Sequence, residues 1–350
     1  MMKILKIKSI NKMLNKQEKK GGLAPRVVEK RFPENMRLFK KLTFIILFSF
    51  LLCHNLSAGE NRIVIVKTSS SIPFSKAEEG FKKEIRKSEI ETILIEYEAS
   101  NESREEGEIA QKIRDLKPDL IVTIGSRSTA IVSQEIKDIP IVFCTVLNPV
   151  SSGFVQNMRF SGNNMTGASL DIPVRIQLEK FKLVVPQLRR LGVLFTPDSK
   201  QVITEARRVC QNIGIELVPE LIHSEKEVPE AVEALAQEVD GLWAVADTII
   251  FTPQSTQYLL LHTLRNGLPF MGLSSSFVKA GALFTLACDR KDVGRQAGEL
   301  ALRVLSGEKP SQVPITIPRM IYLCLNLRTA EQIDLEIPDK IVSVAKEVFR

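Results

Sequence analysis

The sequence predicts an α/β protein built as two βαβ lobes around parallel central sheets, and three observations carry that prediction. Residues 119–149 read DLIVTIGSRSTAIVSQEIKDIPIVFCTVLNP: an apolar run at Leu120–Ile124, a glycine, a helix-compatible stretch at 128–136 and a second apolar run at 139–146. Short runs of this kind suit strands buried on both faces, as in a parallel sheet covered by helices. The unit then recurs. Residues 240–247 read DGLWAVAD, a helical stretch follows at 253–265, and 268–273 reads LPFMGL. Between the two copies lies a turn-rich break at residues 151–164, SSGFVQNMRFSGNN. A single large sheet is the competing arrangement; the break favours two lobes.

In chain order, strands are expected at residues 62–67, 92–97, 120–124 and 141–145, with helices between them at 74–87, 103–116 and 128–136. The second half repeats the alternation, with strands at 191–196, 215–221, 242–246 and 270–273 and helices at 200–212, 227–238 and 253–265. Strands alternating with helices of this length argue for βαβ units in both halves.

The charge is distributed unevenly. The chain holds 48 Lys and Arg against 41 Asp and Glu, a net +7. Residues 1–41 alone carry 13 against 3, a net +10, and residues 42–58 carry none of the four, which leaves +7 − 10 = −3 for residues 59–350. The basic balance therefore belongs to the leader, and the body gives no support for a nucleic-acid partner. Residues 36–58 read as a signal peptide: the basic stretch MRLFKK precedes the apolar LTFIILFSFLL, with Leu56 and Ala58 placed for cleavage after Ala58. An uncleaved anchor is the alternative, although the apolar run is short against the roughly 20 residues of a membrane span. Cys53 follows Leu52 rather than a small residue, so no lipid anchor is expected. Residues 1–35 read as a start assigned too early, with Met36 the true start, or as a disordered basic extension. The remaining 350 − 58 = 292 residues are enough for two domains. Their four cysteines, Cys144, Cys210, Cys288 and Cys324, form no CxxC pair. Buried thiols are expected, although export would permit a disulfide.

Signatures of catalysis are missing. The sequence has no HExxH, GxSxG, Walker or GxGxxG pattern, and His223 and His262 stand in no metal-ligand spacing. No catalytic residue, metal site or cofactor is therefore expected, and an enzyme is disfavoured. Small polar residues gather instead just after the expected strands. In the first half these are Ser69 and Ser70, then Ser126, Arg127 and Ser128, then Thr145 and Asn148; in the second they are Thr196 and Asp198, then Asp247, then Ser274. In open α/β sheets ligands collect at the carboxyl ends of the strands, and helix N-termini attract anions. Ser126, Ser128, Asp198 and Ser274 are equally good N-caps, and both roles stay open. Asp247 ends an apolar run, while Thr252 and Pro253 already supply the cap and first residue of the next helix. A carboxylate buried there needs a partner, either a ligand ammonium or a Lys or Arg of the protein. The sole tryptophan, Trp243, lies inside a strand and reads as core. No Trp or Tyr falls in the pocket loops, so no aromatic stacking sandwich is visible.

Four blocks resemble a known family: KDIPIVFCTVLNPVSSG, GNNMTGASL, DGLWAVAD and GALFTLACDRKDVGRQAGELALRVLSGEKP followed by IPRMIYLCLNLRTA. They are similar to ABC-transporter substrate-binding proteins of the uncharacterised, tryptophan/tyrosine-associated type, over about residue 62 to the C-terminus. The resemblance implies a type I periplasmic-binding-protein fold, with two Rossmann-like lobes joined by three crossovers and closing on a ligand in the cleft. It implies that Ser69, Ser70, Ser126, Ser128 and Thr145 line the first lobe and that Asp247 meets the ligand's amino group from the second. Arg127 departs from the small residue the family pattern leads one to expect; it clamps a carboxylate or marks a different ligand. The implied lobes are residues 59–165 plus 290–317 and residues 166–289 plus 318–350. The crossovers fall at 159–170, near Asp289, and ahead of a strand-like stretch at 315–325. The expectation is a monomeric periplasmic solute-binding protein that captures a small molecule. An amino acid is expected, aromatic ones being known in the family, for delivery to an ABC permease with its ATPase. A sensory subunit signalling to a membrane kinase uses the same cleft and stays open as the alternative. Contact with the membrane is expected only through the permease or an uncleaved leader.

Overall fold

The structure, a computed structural model, describes residues 60–99 and 103–350. The basic extension and leader expected over residues 1–58 lie outside the described residues. The first lobe opens with β1 (Asn61–Lys67), α1 (Ile72–Lys87), β2 (Thr92–Glu98), α2 (Ser103–Asp115), β3 (Leu120–Ile124), α3 (Ser126–Glu135), β4 (Ile141–Val146) and β5 (Met165–Ser169). The five strands form one parallel sheet in the order β2-β1-β3-β4-β5. Alternate residues of β1 show why its apolar run is continuous: Ile63 and Ile65 face one helix layer, Val64 and Val66 the other.

The chain then passes to a second sheet. It contains α4 (Val174–Val184), β6 (Arg190–Phe195), α5 (Lys200–Asn212), β7 (Glu216–Leu221), α6 (Val228–Ala236), β8 (Gly241–Trp243), α7 (Pro253–Arg265), β9 (Phe270–Met271), α8 (Ser275–Ala280) and β10 (Phe284–Cys288). From β10 the chain returns to the first lobe as α9 (Arg290–Leu305). It crosses once more into β11 (Ile321–Asn326), α10 (Leu327–Gln332), α11 (Asp339–Val344) and β12 (Glu347–Phe349). The second sheet runs β12-β11-β10-β9-β8-β6-β7, parallel except where β11 opposes β10. Trp243 lies in its core as expected, 2% exposed, with its indole N–H donating to Gln177 Oε1 at 2.9 Å.

One boundary differs from expectation. Residues 165–169 were expected within the first crossover, yet they are the fifth strand of the first sheet, with Met165 opposite Ile141 and Ala168 opposite Cys144. The segment MTGAS carries no apolar run, but backbone pairing and the burial of all five residues make it a strand. The first crossing therefore lies at residues 170–173. The strand expected at 315–325 divides in two. Residue 316 bridges Ala168 beside the first sheet, and the strand proper begins at Ile321 in the second.

Helix α9 packs along α1 and completes the first lobe. Its Val293, Ala297, Leu300, Ala301 and Val304 join Ile63, Phe81 and Val142 in one core. The two helices meet backbone to backbone at glycines: a Cβ on Gly80 would stand 1.9 Å from Lys291 O, and one on Gly294 1.9 Å from Ala77 O. The third crossing is tied down beside them. Arg319 bonds Asp292 at 2.9 Å and Glu299 at 2.8 Å, and Gln296 Nε2 donates to Ile317 O at 2.9 Å.

Candidate ligand-binding site

The strand ends of each lobe emerge along one edge. In the first lobe Lys67 lies opposite Ile124, and Ile124 opposite Cys144. The segments after β1, β3 and β4 therefore leave the sheet side by side. Thr68 Oγ1 donates to Ser128 Oγ at 3.2 Å and accepts from Ser128 N–H at 3.2 Å, while Ser128 Oγ donates to Gly125 O at 3.0 Å. Ser128 is fully buried and engaged inside the lobe. Gly125, not a serine, is the N-cap of α3; its φ of 104° and a would-be Cβ 2.4 Å from Thr68 Oγ1 make glycine necessary there. Ser126 is the exposed first residue of the helix, and Arg127 sits half-buried in the same turn. Ser69 Oγ donates to Ser71 Oγ at 3.1 Å, and Ser70 donates to the Glu98 carboxylate.

Thr145 is the least ordinary residue of this edge. It is 3% exposed, its φ is 58°, and its hydroxyl has no hydrogen-bond partner. A β-branched residue in the left-handed region is a genuine outlier, and the pairing of β4 with β5 shifts register around it, between Cys144 and Val146. Asn148 also has a positive φ, 48°, and its backbone N–H donates to Asp171 Oδ1 at 2.8 Å.

The second lobe presents its edge differently. Asp247 follows β8, half-buried, and four donors meet its carboxylate. Thr196 Oγ1 at 2.5 Å and Ser199 Oγ at 3.1 Å reach one oxygen; the N–H groups of Ile249 at 2.9 Å and Ile250 at 3.3 Å reach the other. A carboxylate has about four lone-pair sites, so Asp247 is supplied from within its own lobe, without the Lys or Arg that the sequence suggested as one partner. Thr196 is thereby buried and engaged. Asp198 is exposed in the short 3-10 turn Pro197–Ser199, and Ser199 rather than Asp198 precedes α5. Ser274 is the N-cap of α8, with no capping hydrogen bond from its side chain. Thr252 forms a full capping box with Ser255 at the start of α7, as its sequence context predicts.

Two charged residues at the crossings escaped the sequence reading. Asp171 lies in the first crossing, half-buried and without a cationic partner among the described residues. Burial pushes its carboxyl above the usual range, opposed by the Asn148 N–H and the Ser169 hydroxyl. Arg290 opens α9 at the second crossing, half-buried, and forms no ion pair among the described residues. Its guanidinium lies close enough to Cys144 and Cys288 to temper their titration; burial still pushes the Cys144 thiol up to about 12. Leu170, next to Asp171, donates its N–H to Val146 O at 2.8 Å, and Arg290 acts on Cys144 of the same strand, so both crossings lie by the end of β4. The third crossing is bonded to the end of β5, just before the first crossing, and to the second crossing: Ser169 N–H donates to Thr316 O at 2.8 Å, and Asp289 N–H to Met320 O at 3.1 Å.

Apolar side chains stand exposed along the same edges: Ile72 after β1, Leu147 after β4 and Ile249 after β8, at 72%, 43% and 37%. The four cysteines are buried free thiols. Among the described residues no group of His, Cys, Asp and Glu could hold a metal ion, and no helix is long and apolar enough to cross a membrane.

A family model described as ABC transporter substrate binding protein matches residues 63–349. A tyrosine-binding protein of Clostridioides difficile (strain R20291) is 27% identical over 268 residues, covering 75% of this chain and 77% of that protein. Among solved structures, a substrate-binding protein with adhesive properties from Clostridium difficile, in its ligand-free, open form, aligns with a TM-score of 0.69 at 23% identity. That alignment covers 83% of this chain and 99% of the other. An ABC domain from Streptococcus pneumoniae in complex with L-Trp aligns with a TM-score of 0.64 at 19% identity, over 83% of this chain and all of the other.

Proposed function

The chain belongs to the ABC transporter substrate-binding protein family and has the two-lobed type I periplasmic-binding-protein fold, and from that premise we propose that it is exported and captures an amino acid between its lobes for delivery to an ABC importer. It is a binding protein and not an enzyme. The observation that carries the ligand reading is the set of polar groups at the strand ends and crossings. A buried hydroxyl without a partner, Thr145, stands at the end of β4, and the adjoining crossings carry a carboxylate and a guanidinium that form no ion pair among the described residues, Asp171 and Arg290. Charged and hydroxyl donors of this kind suit a zwitterion, and the exposed Ile72, Leu147 and Ile249 suit an apolar side chain. The tyrosine-binding relative supports the same class.

Ser69, Ser70, Ser126 and Arg127 on the first lobe, and Asp198 and Ser274 on the second, are proposed as rim contacts; Asn148 contributes through its backbone. Closing two lobes on a ligand replaces water at these groups, and micromolar capture corresponds to about −8 kcal/mol. The test is a thermal-shift screen of the purified protein against the twenty common amino acids, with titration calorimetry on any that raise the melting temperature. An apolar or aromatic amino acid is expected to bind at micromolar affinity or tighter. Binding of a sugar or nucleoside with no response to any amino acid would sink the ligand reading.

A further inference from the structure

A cation at the start of a helix is poorly placed. The N-terminus of α9 carries the positive end of the helix dipole, where acidic residues are favoured. Asp289 meets that preference, capping the helix through Lys291 N–H at 2.9 Å and Asp292 N–H at 3.1 Å. Arg290, the next residue, runs against that preference: half-buried, with no carboxylate on its guanidinium among the described residues and close enough to Cys144 and Cys288 for its charge to act on them. The other arginines around this crossing are paired, Arg295 with Asp292 at 2.7 Å and Arg319 with Asp292 and Glu299. Asp171, in the crossing whose Leu170 N–H donates to Val146 O at 2.8 Å, carries the opposite charge. Its carboxylate accepts the Asn148 N–H and, among the described residues, meets no Lys or Arg. The two residues do not pair with each other, so an opposite charge is open to each. Thr145, whose buried hydroxyl is unpartnered among the described residues, stands at the end of β4, the strand next to both crossings.

We propose that the hinge, and not the second lobe's edge, holds the backbone of the ligand: Arg290 takes the α-carboxylate and Asp171 the α-ammonium of an amino acid, while Asp247 shapes its own loop. This assignment rests on the amino-acid reading above. Arginine is suited to the task because its planar fork meets a carboxylate with two parallel N–H donors. The arrangement separates two functions. The crossings read the invariant part of an amino acid, and the loops carrying Ile72, Leu147 and Ile249 read its side chain. The chemical class that follows is any α-amino acid with a free amine and a free carboxylate; peptides and N-acylated amino acids are excluded.

The test uses the amino acid identified by the screen with its two single-charge analogues, the decarboxylated amine and the deaminated acid. Truncating one partner of a buried charge pair weakens binding by roughly 30-fold or more. Arg290→Gln is expected to weaken the amino acid and the deaminated acid by that factor and to leave the amine within about threefold. Asp171→Asn is expected to weaken the amino acid and the amine and to spare the deaminated acid. Asp247→Asn is expected to change the amino acid's affinity by less than about tenfold. Without ligand, Arg290→Gln melts no lower than the parent, since it removes an unpaired cation from a helix N-terminus. Several outcomes overturn the assignment: retained affinity in both hinge variants, equal losses for all three probes, a large loss confined to Asp247→Asn, or an Arg290→Gln protein that melts well below the parent. If no amino acid binds the parent protein, the amino-acid reading falls first and this assignment with it.

Discussion

At the end of β4 the first lobe holds a buried threonine in a left-handed conformation with no partner for its hydroxyl. At the end of β8 the second lobe holds a carboxylate that four donors already meet. Thr145 stands at the end of the fourth strand of the first half and Asp247 follows the third strand of the second, both on the strand-end edge, yet among the described residues only Asp247 is satisfied by the protein. Strain and an unpaired polar group persist only where the surrounding structure imposes them, and such features cluster at binding sites. A satisfied carboxylate needs no ligand to explain it. The polar residue that looks more conspicuous in the sequence is therefore the weaker evidence for binding, and the plainer one is the stronger.

The first lobe can carry a strained edge because its helix layer is locked underneath. That lock is the place where the contrast breaks most severely. Gly294→Ala drives a methyl group into Ala77 O, and only separation of α1 from α9 relieves it. Overpacking typically costs about 1–3 kcal/mol, and a backbone oxygen 1.9 Å away puts this site at the upper end. Denaturant melts should show that loss, with ligand binding abolished; a loss under about 1 kcal/mol would mean that the helices yield easily.

Exchanging the two edges sharpens the comparison. Asp247→Ala leaves two hydroxyls and two N–H groups without their acceptor. Hydrogen bonds to charged groups contribute about 1.5–3 kcal/mol each at the upper end, and partial rehydration at this half-exposed site reduces the sum to about 2–3 kcal/mol of stability. Thr145→Val removes a hydroxyl that bonds nothing, in nearly the same shape, so the unliganded protein should stay within about 0.5 kcal/mol of the parent. The ligand should then bind about fivefold more weakly, one hydrogen bond's worth. Melts and calorimetry on the pair decide the matter, and a Thr145→Val protein that loses stability would place a missed partner on its hydroxyl.

The smallest effect is a pH dependence. The folded Asp171 carboxyl binds its proton more tightly than the unfolded chain does. Its contribution to stability is present below the unfolded value near 3.9 and is lost as pH rises through the folded one. Asp171→Asn should therefore melt above the parent at pH 7 without ligand, with the difference closing toward pH 4. Asp292 runs the other way: Arg319 and Arg295 hold its carboxyl low against the opposing effect of burial, so its stabilisation is present above the unfolded value and is lost on acidification. A parent protein more stable than Asp171→Asn at pH 7 would show that Asp171 already has a cation.

Much of the fold was legible because burial on both faces writes a continuous apolar run, as in residues 120–124 and 141–146. The fifth strand was not, because MTGAS is buried through backbone pairing and small side chains rather than hydrophobicity. The polar residues expected after the strands do stand at or near the strand ends. What the sequence could not say is which hydroxyls are engaged: Ser128 and Thr196 turn inward, a matter of contacts between residues far apart in the chain. Asp171 and Arg290 were missed for the same reason, since their meaning depends on two crossings converging beside β4. One local signal existed for Arg290. It follows the cap Asp289 at a position where helices favour acidic residues.

The path of the chain has one more consequence. The core that joins Ile63, Phe81 and Val142 is completed by Val293, Ala297 and Leu300 of α9, and α9 is made only after β6 to β10 of the other sheet. A chain made only as far as β10 has α1 but not α9 on that face of the first sheet, so the first lobe's core closes only when α9 is added.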